Sequence, residues 1–195
     1  MIAQAIAFVV DAIASLFILA ALLRFWMQAL RAPSRNPIAY FSMALTDFAV
    51  KPLRRVVPGM FKLDMASLLV ALLFEFVLQV ILWMLAGGSP VENPGALSVV
   101  LFFSFVKLIR LTIYIFMGAI IIQAVLSWVS PYHPVAPFFD ALAKPLLRPV
   151  QKAIPPIGGV DITPVFVLIF LQLLLMLPVT WLEMESARML SRALL

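Results

Sequence analysis

A chain of 195 residues that is 65% apolar and 12% charged has half the charge of a water-soluble domain, in which about a quarter of the residues are charged. Its mean hydropathy of +1.13 marks a protein whose main solvent is lipid. It has no cysteine and only one histidine, His133. That excludes disulfides, thiolate clusters and histidine-rich metal sites, and no cofactor is expected; the net charge of +5 matters through its placement and does not signal direct nucleic-acid binding.

A helix needs about 20 residues to cross a hydrocarbon core about 30 Å thick, and four stretches qualify. The first runs from Ile2 to about Gln28, with Asp11 as its only charge before Arg24. It lacks the basic region and small-residue cleavage site of a secretory signal, so it reads as a retained span. The loop from Arg31 to Asp64 follows. In it Phe41, Leu45 and Phe48 recur at helical spacing, which predicts a short amphipathic helix in the headgroup layer, limited by Pro52. Lys51, Arg54 and Arg55 flank it as candidate contacts for anionic lipid or a partner, on equal terms with a merely solvated loop. Asp64 stands where the second span begins and reads as a helix cap.

The second span, Met65 to Ala86, contains Glu75 and Gln79. The loop from Gly87 to Gly95 has no lysine or arginine. The third span ends near Trp128 and starts somewhere between Leu97 and Ile109, because Lys107 and Arg110 interrupt the run; about 109–129 is its continuous part. The next loop repeats the earlier design, with Phe138, Leu142 and Leu146 as the stripe, Lys144, Arg148 and Lys152 as the basic residues, Pro149 as the limit, and Gly158, Gly159 and Asp161 as the closing turn and cap. The fourth span covers about 164–182, contains Gln172, and should kink or end early at Pro178. Trp26, Trp83, Trp128 and Trp181 fall near the four predicted helix ends, as expected of an interfacial aromatic belt.

The two long loops carry nine basic residues, six in 31–64 and three in 130–161. The positive-inside rule places both loops in the cytoplasm and both termini outside. Laid over each other 97 residues apart, Asn36–Asp64 and His133–Asp161 share eight identities in 29 positions, which indicates an internal repeat. The expected architecture is therefore an all-α membrane protein of four transmembrane helices, built as two parallel helix–loop–helix repeats (1–95 and 96–195) with amphipathic interfacial helices in the cytoplasmic loops.

The same residues carry a family resemblance. Asn36-Pro37, the run from Lys51 to Pro58, and Asp64, with their second copies His133-Pro134, Lys144–Pro149 and Gly158-Gly159-Val160-Asp161, resemble the YggT family over nearly the whole chain. The first half departs from that pattern in lacking a Gly-Gly pair before Asp64 and in carrying five extra residues between Trp26 and Pro37. The resemblance implies a bacterial inner-membrane protein whose relatives are linked to osmotic and potassium tolerance, to cell division and, in photosynthetic lineages, to cytochrome maturation and nucleoid distribution. It carries over no catalytic residues.

An enzyme is not expected: the chain has no phosphate-binding glycine loop, nucleophile elbow, metal cluster or thiol. Two functional classes remain. One is a non-catalytic scaffold or assembly factor that contacts anionic lipid, other membrane proteins or further copies of itself. The other is an oligomeric cation channel or transporter, because ionisable groups inside a membrane mark ion paths. Asp11 and Glu75 both fall about 15 Å into their spans. Aligning Trp26 with Trp128 sets Arg110 within reach of Asp11. An Asp11–Arg110 contact is therefore expected, with Glu75 either protonated or joined to this cluster together with Gln172.

Overall fold

The structure, a computed structural model, describes residues 2–57, 59, 63–89, 91, 94–154 and 161–192. Gly158 and Gly159 of the second turn lie outside them, as do Pro58, Lys62 and Pro155. The order of elements is α1 (Ile2–Ala29), α2 (Pro37–Val56), α3 (Met65–Leu85), α4 (Ala96–Val129), α5 (Ala136–Ala153), α6 (Thr163–Leu174), a π-helical turn (Leu175–Val179) and α7 (Thr180–Arg192). No strand occurs among the described residues. Four helices are long and apolar enough to cross a membrane, with α6 to α7 counting as one, and the protein is a multi-pass, all-helical membrane protein.

Lipid gives apolar helices no hydrophobic reason to associate, so close packing must hold them together. At the α1–α3 contact, Ala21, Ala66 and Ala71 are buried, and their small side chains let Ile18, Leu22, Val70 and Leu78 interlock. A second core joins α4, α5 and α6 through Ile120, Leu147, Val167 and Leu171. A third joins Met27 and Ala39 to Ala119, Phe138 and Leu142.

Trp26 touches all three cores. Its indole donates to Thr112 Oγ1 at 3.3 Å and meets Phe116 edge-on, with ring centroids 4.9 Å apart. This corrects the belt expectation for Trp26 and Trp83: Trp26 is a packing hub, and Trp83 is buried, with its Nε1 lacking a protein partner. Only Trp128 and Trp181 are largely exposed, and Trp181 stands near the start of α7 rather than at a helix end.

α4 starts at the early end of its expected range, and the fourth span runs past its expected end at about 182. Lys107 and Arg110 do not interrupt α4, whose 34 residues extend about 51 Å, well beyond one bilayer core. Lys107 lies 5.4 Å from the Phe103 ring centre, an aromatic face that favours a cation. Pro178 does not end the fourth span; it sits in the π turn, where the wider winding relieves its clash with the preceding turn. Thr180 donates to the Leu175 carbonyl through both its backbone N–H and its Oγ1, the hydroxyl at 2.8 Å.

Prolines do not limit α2 or α5 either. Pro52, Pro145 and Pro149 lie inside these helices on exposed faces, where a bent turn meets no neighbour. In α5 the predicted stripe faces inward, with Phe138 and Leu142 buried. In α2 it divides: Phe41 is exposed, Phe48 is exposed but its ring centre lies 5.2 Å from that of Phe17, Leu45 packs on the α1–α3 core, and the buried face is Ala39, Ser42, Thr46 and Val50.

After α3, the chain turns tightly against Trp83. A β-carbon on Gly88 would lie 2.3 Å from the Trp83 ring, closer than any real contact. Gly88→Ala is therefore expected to cost about 1–3 kcal/mol by overpacking. A melting curve in detergent checks this, and an unchanged midpoint would show that the ring moves aside freely.

Candidate functional site

The buried polar face of α2 has a purpose in this fold. It lies against α1, where Ser42 Oγ donates to the Ala20 carbonyl at 2.7 Å and Arg24 Nη1 donates to Thr46 Oγ1 at 3.1 Å and to Asp47 Oδ1 at 2.7 Å. Arg24 is 6% exposed, so its charge needs partners within the protein. Asp64, at the start of α3, supplies a second carboxylate 3.8 Å from Arg24 Nε.

Asp64 is a cap, as expected, and also more than a cap. It accepts from the Ser67 backbone at 3.4 Å and from the Ser67 hydroxyl at 2.5 Å. Arg54 grips it with two nitrogens, Nε and Nη2, in the two-pronged geometry that makes such pairs strong. Lys51 pairs with Asp47 at 2.7 Å one helical turn away. The network thus ties α1, α2 and α3 together through alternating charges.

Electrostatics follow the contacts. The hydrogen bond from Lys51, helped by Arg24, holds the Asp47 carboxyl below its ordinary value. Burial pushes Asp64 upward, but Arg54 and Ser67 outweigh it, and the net direction is down. The same bond to Asp64 raises Arg54.

The second half repeats part of this design 97 residues on. Gln151, the counterpart of Arg54, donates to Asp161 at 2.9 Å, and Asp161 accepts from the Thr163 backbone and hydroxyl at 2.9 and 2.6 Å. Burial pushes Asp161 upward, yet these donors bring it below its ordinary value. The rest of the network has no copy: Thr46 and Asp47 correspond to Ala143 and Lys144. Lys144 reaches only Asp140, at 4.0 Å. Arg148 and Lys152 are exposed, as is Arg55 on α2, so of the six predicted basic contacts Lys51 and Arg54 are already engaged within the protein.

The expected Asp11–Arg110 contact is not formed. Arg110 Nε and Nη2 donate to Glu183 at 2.7 and 2.5 Å, and Nη2 also donates to Thr180 Oγ1 at 3.1 Å. The reason is helix register. Trp26 meets Thr112 and not the level of Trp128, a slide of 16 residues or about 24 Å along α4. That brings Arg110 beside α7.

Asp11 is exposed instead. Glu75 is buried and accepts from Gln79 Nε2 at 2.7 Å, with Lys107 and Asp11 the charged groups close enough to act on it. Gln172 is exposed on α6 and does not join Glu75. No group of three metal-ligating side chains occurs among the described residues.

Residues 3–85 and 102–182 match the family described as CCB3/YggT. The chain belongs to the CCB3/YggT family. A Pseudomonas aeruginosa protein named PA0392 is 36% identical over 172 residues, 87% of this chain and 86% of its own. The Escherichia coli K12 protein YggT is 33% identical over 165 residues, 84% of each chain, and a Vibrio alginolyticus protein from the proC 3' region is 31% identical over 170 residues, 87% of this chain and 90% of its own. No solved structure matches the chain.

Within this CCB3/YggT chain, sequence reasoning missed Arg24, Thr46, Asp47 and Glu183 as network members. The Asp47–Lys51 spacing of four was a legible sign of a helical ion pair. The partners of Arg24 and Arg110 are distant in sequence, and only packing brings them together.

Proposed function

We propose that this CCB3/YggT protein is a non-catalytic scaffold or assembly factor of the bacterial inner membrane, serving envelope organisation, division or osmotic homeostasis. One observation carries the reading: Asp11 and Gln172 both face outward, each about 14 Å along its span from the helix start. A polar side chain facing hydrocarbon is costly, and hydrogen bonding across helices is how membrane proteins relieve that cost. Arg24 and Arg110, by contrast, pair with carboxylates inside the protein. The two outward groups thus serve as docking points for further transmembrane helices, from other membrane proteins or a second copy.

Asp11→Leu and Gln172→Leu should change stability by less than about 0.5 kcal/mol, as for surface substitutions. They should also reduce the mass of the particle purified in mild detergent. A particle of unchanged mass in both variants would reject the docking reading. Nine basic residues in 31–64 and 130–161 support cytoplasmic loops and outside termini. Reporter fusions after Ser34, Gly88, Gly158 and Leu195 should read inside, outside, inside, outside.

A second reading, an oligomeric cation conductor, is favoured by Glu75, a buried carboxylate with Asp11 and Lys107 as its charged neighbours. Potassium flux in liposomes that is lost in Glu75→Gln would support it, and absence of flux in the wild type would reject it.

A further inference from the structure

A cleft of about 480 Å³ opens between the C-terminal end of α1 and α2, lined by Arg24, Gln28, Arg31, Ser34 and Arg54. Its polar lining consists almost wholly of hydrogen-bond donors, and no carboxylate lines it among the described residues. Asp47 and Asp64 stand behind it, already holding Arg24, Lys51 and Arg54. With Arg31 included, four cations face two carboxylates, so the site keeps a positive excess that only an added anion would neutralise.

The donors are also aimed. Arg24, which lines the cleft, spends Nη1 on Thr46 and Asp47, while its Nη2 has no protein partner among the described residues. Arg54 spends Nε and Nη2 on Asp64 and leaves Nη1. Gln28 accepts from Arg54 through its carbonyl oxygen at 3.4 Å, which leaves its amide nitrogen to donate. Arg31 has no carboxylate partner among the described residues. It also adopts a φ of +53°, a left-handed conformation that long side chains rarely take. That backbone sets a free guanidinium at the wall of the cleft.

We propose that this cleft binds a phosphate-bearing anion, either the headgroup of an anionic lipid or a free phosphate compound. Planar guanidinium groups match the tetrahedral oxygens of phosphate through paired hydrogen bonds, and the carboxylates behind them hold Arg24 and Arg54 in place before the ligand arrives. The site is separate from the docking points at Asp11 and Gln172.

The test uses the full chain, delipidated in a neutral detergent and followed by native mass spectrometry. Inorganic phosphate is titrated in one arm and phosphatidylglycerol in the other, with diacylglycerol as the phosphate-free control. Saturable binding of one equivalent is expected in at least one arm: the phosphate arm identifies a soluble ligand, the lipid arm a headgroup. Arg31→Asn keeps a residue that tolerates the left-handed backbone and should weaken binding about tenfold, the effect of losing one charged hydrogen bond. Arg35→Gln removes the same charge from an exposed position outside the cleft and should change binding less than twofold. Absence of saturable binding in both arms, equal losses in the two variants, or diacylglycerol binding as tight as phosphatidylglycerol would overturn the proposal.

Discussion

Replacing Asp64 by alanine is expected to destabilise the protein by about 3–5 kcal/mol, the cost of breaking a buried ion pair by removing one partner. Asp64 is 3% exposed and serves Arg54, Arg24 and Ser67 together. Its loss leaves the first turn of α3 uncapped, worth about 1 kcal/mol by itself, and removes one of two carboxylates from the buried Arg24. Asp64→Asn keeps the shape and part of the cap and should cost less. Thermal unfolding in detergent checks both variants; an alanine variant as stable as the wild type would remove the network from any account of the fold.

The same network makes a pH prediction. Asp47, Asp64 and Asp161 are all held below the ordinary aspartate value of 3.8. A carboxyl depressed in the folded state contributes stability that is complete above its unfolded value and is lost as pH falls through its folded value. The melting midpoint should therefore stay level from neutral pH down to about 5 and drop below about 4. A midpoint that rises on acidification through this range would contradict the assignment.

The second large effect belongs to Arg110. Arg110→Ala strands Glu183 within the fourth span, and Glu183→Gln leaves the guanidinium without its carboxylate. Each should cost about 3 kcal/mol, the scale set by a charge deprived of its partner in a membrane helix. The double exchange Arg110→Glu with Glu183→Arg should recover part of the loss, though Thr180 and Tyr114 are placed to serve only the guanidinium. Asp11→Asn should change stability by less than about 0.5 kcal/mol, because Asp11 is exposed. If Asp11→Asn and Arg110→Ala were equally damaging, the pairing with Glu183 would be wrong.

Local physics made much of this fold readable. Hydropathy alone located four spans, because a lipid core demands apolar runs of fixed length, and the Asp64 cap followed from its position at a helix start; at α6 the cap position is Ile162, and Asp161 accepts from Thr163 across it. Helix ends were less legible. Lys107 and Arg110 break an apolar run on paper, yet Phe103 and Glu183 satisfy them in three dimensions, and Pro178 is taken up in a π turn.

Faces and depth were harder still. Phe41, Leu45 and Phe48 marked the side of α2 turned to the headgroup layer, but nothing in that spacing pointed to Ser42 and Thr46, which make the polar contact with α1. The relative depth of α1 and α4 depends on the Trp26–Thr112 contact, between residues 86 positions apart, and no local pattern encodes it. That slide undid the expected Asp11–Arg110 pair.

The central functional claim is that Asp11 and Gln172 mark surfaces covered by other transmembrane helices. Photo-crosslinking in native membranes tests it most directly, with a photoreactive phenylalanine analogue placed at Phe8 or Ile169, both exposed and three residues before Asp11 and Gln172, on the same helix faces. The same probe at Tyr132, 98% exposed in the turn before α5, is the control. Discrete protein adducts are expected from positions 8 and 169, and they should disappear when Asp11→Leu or Gln172→Leu is added. Adducts to lipid alone at both positions would contradict the claim.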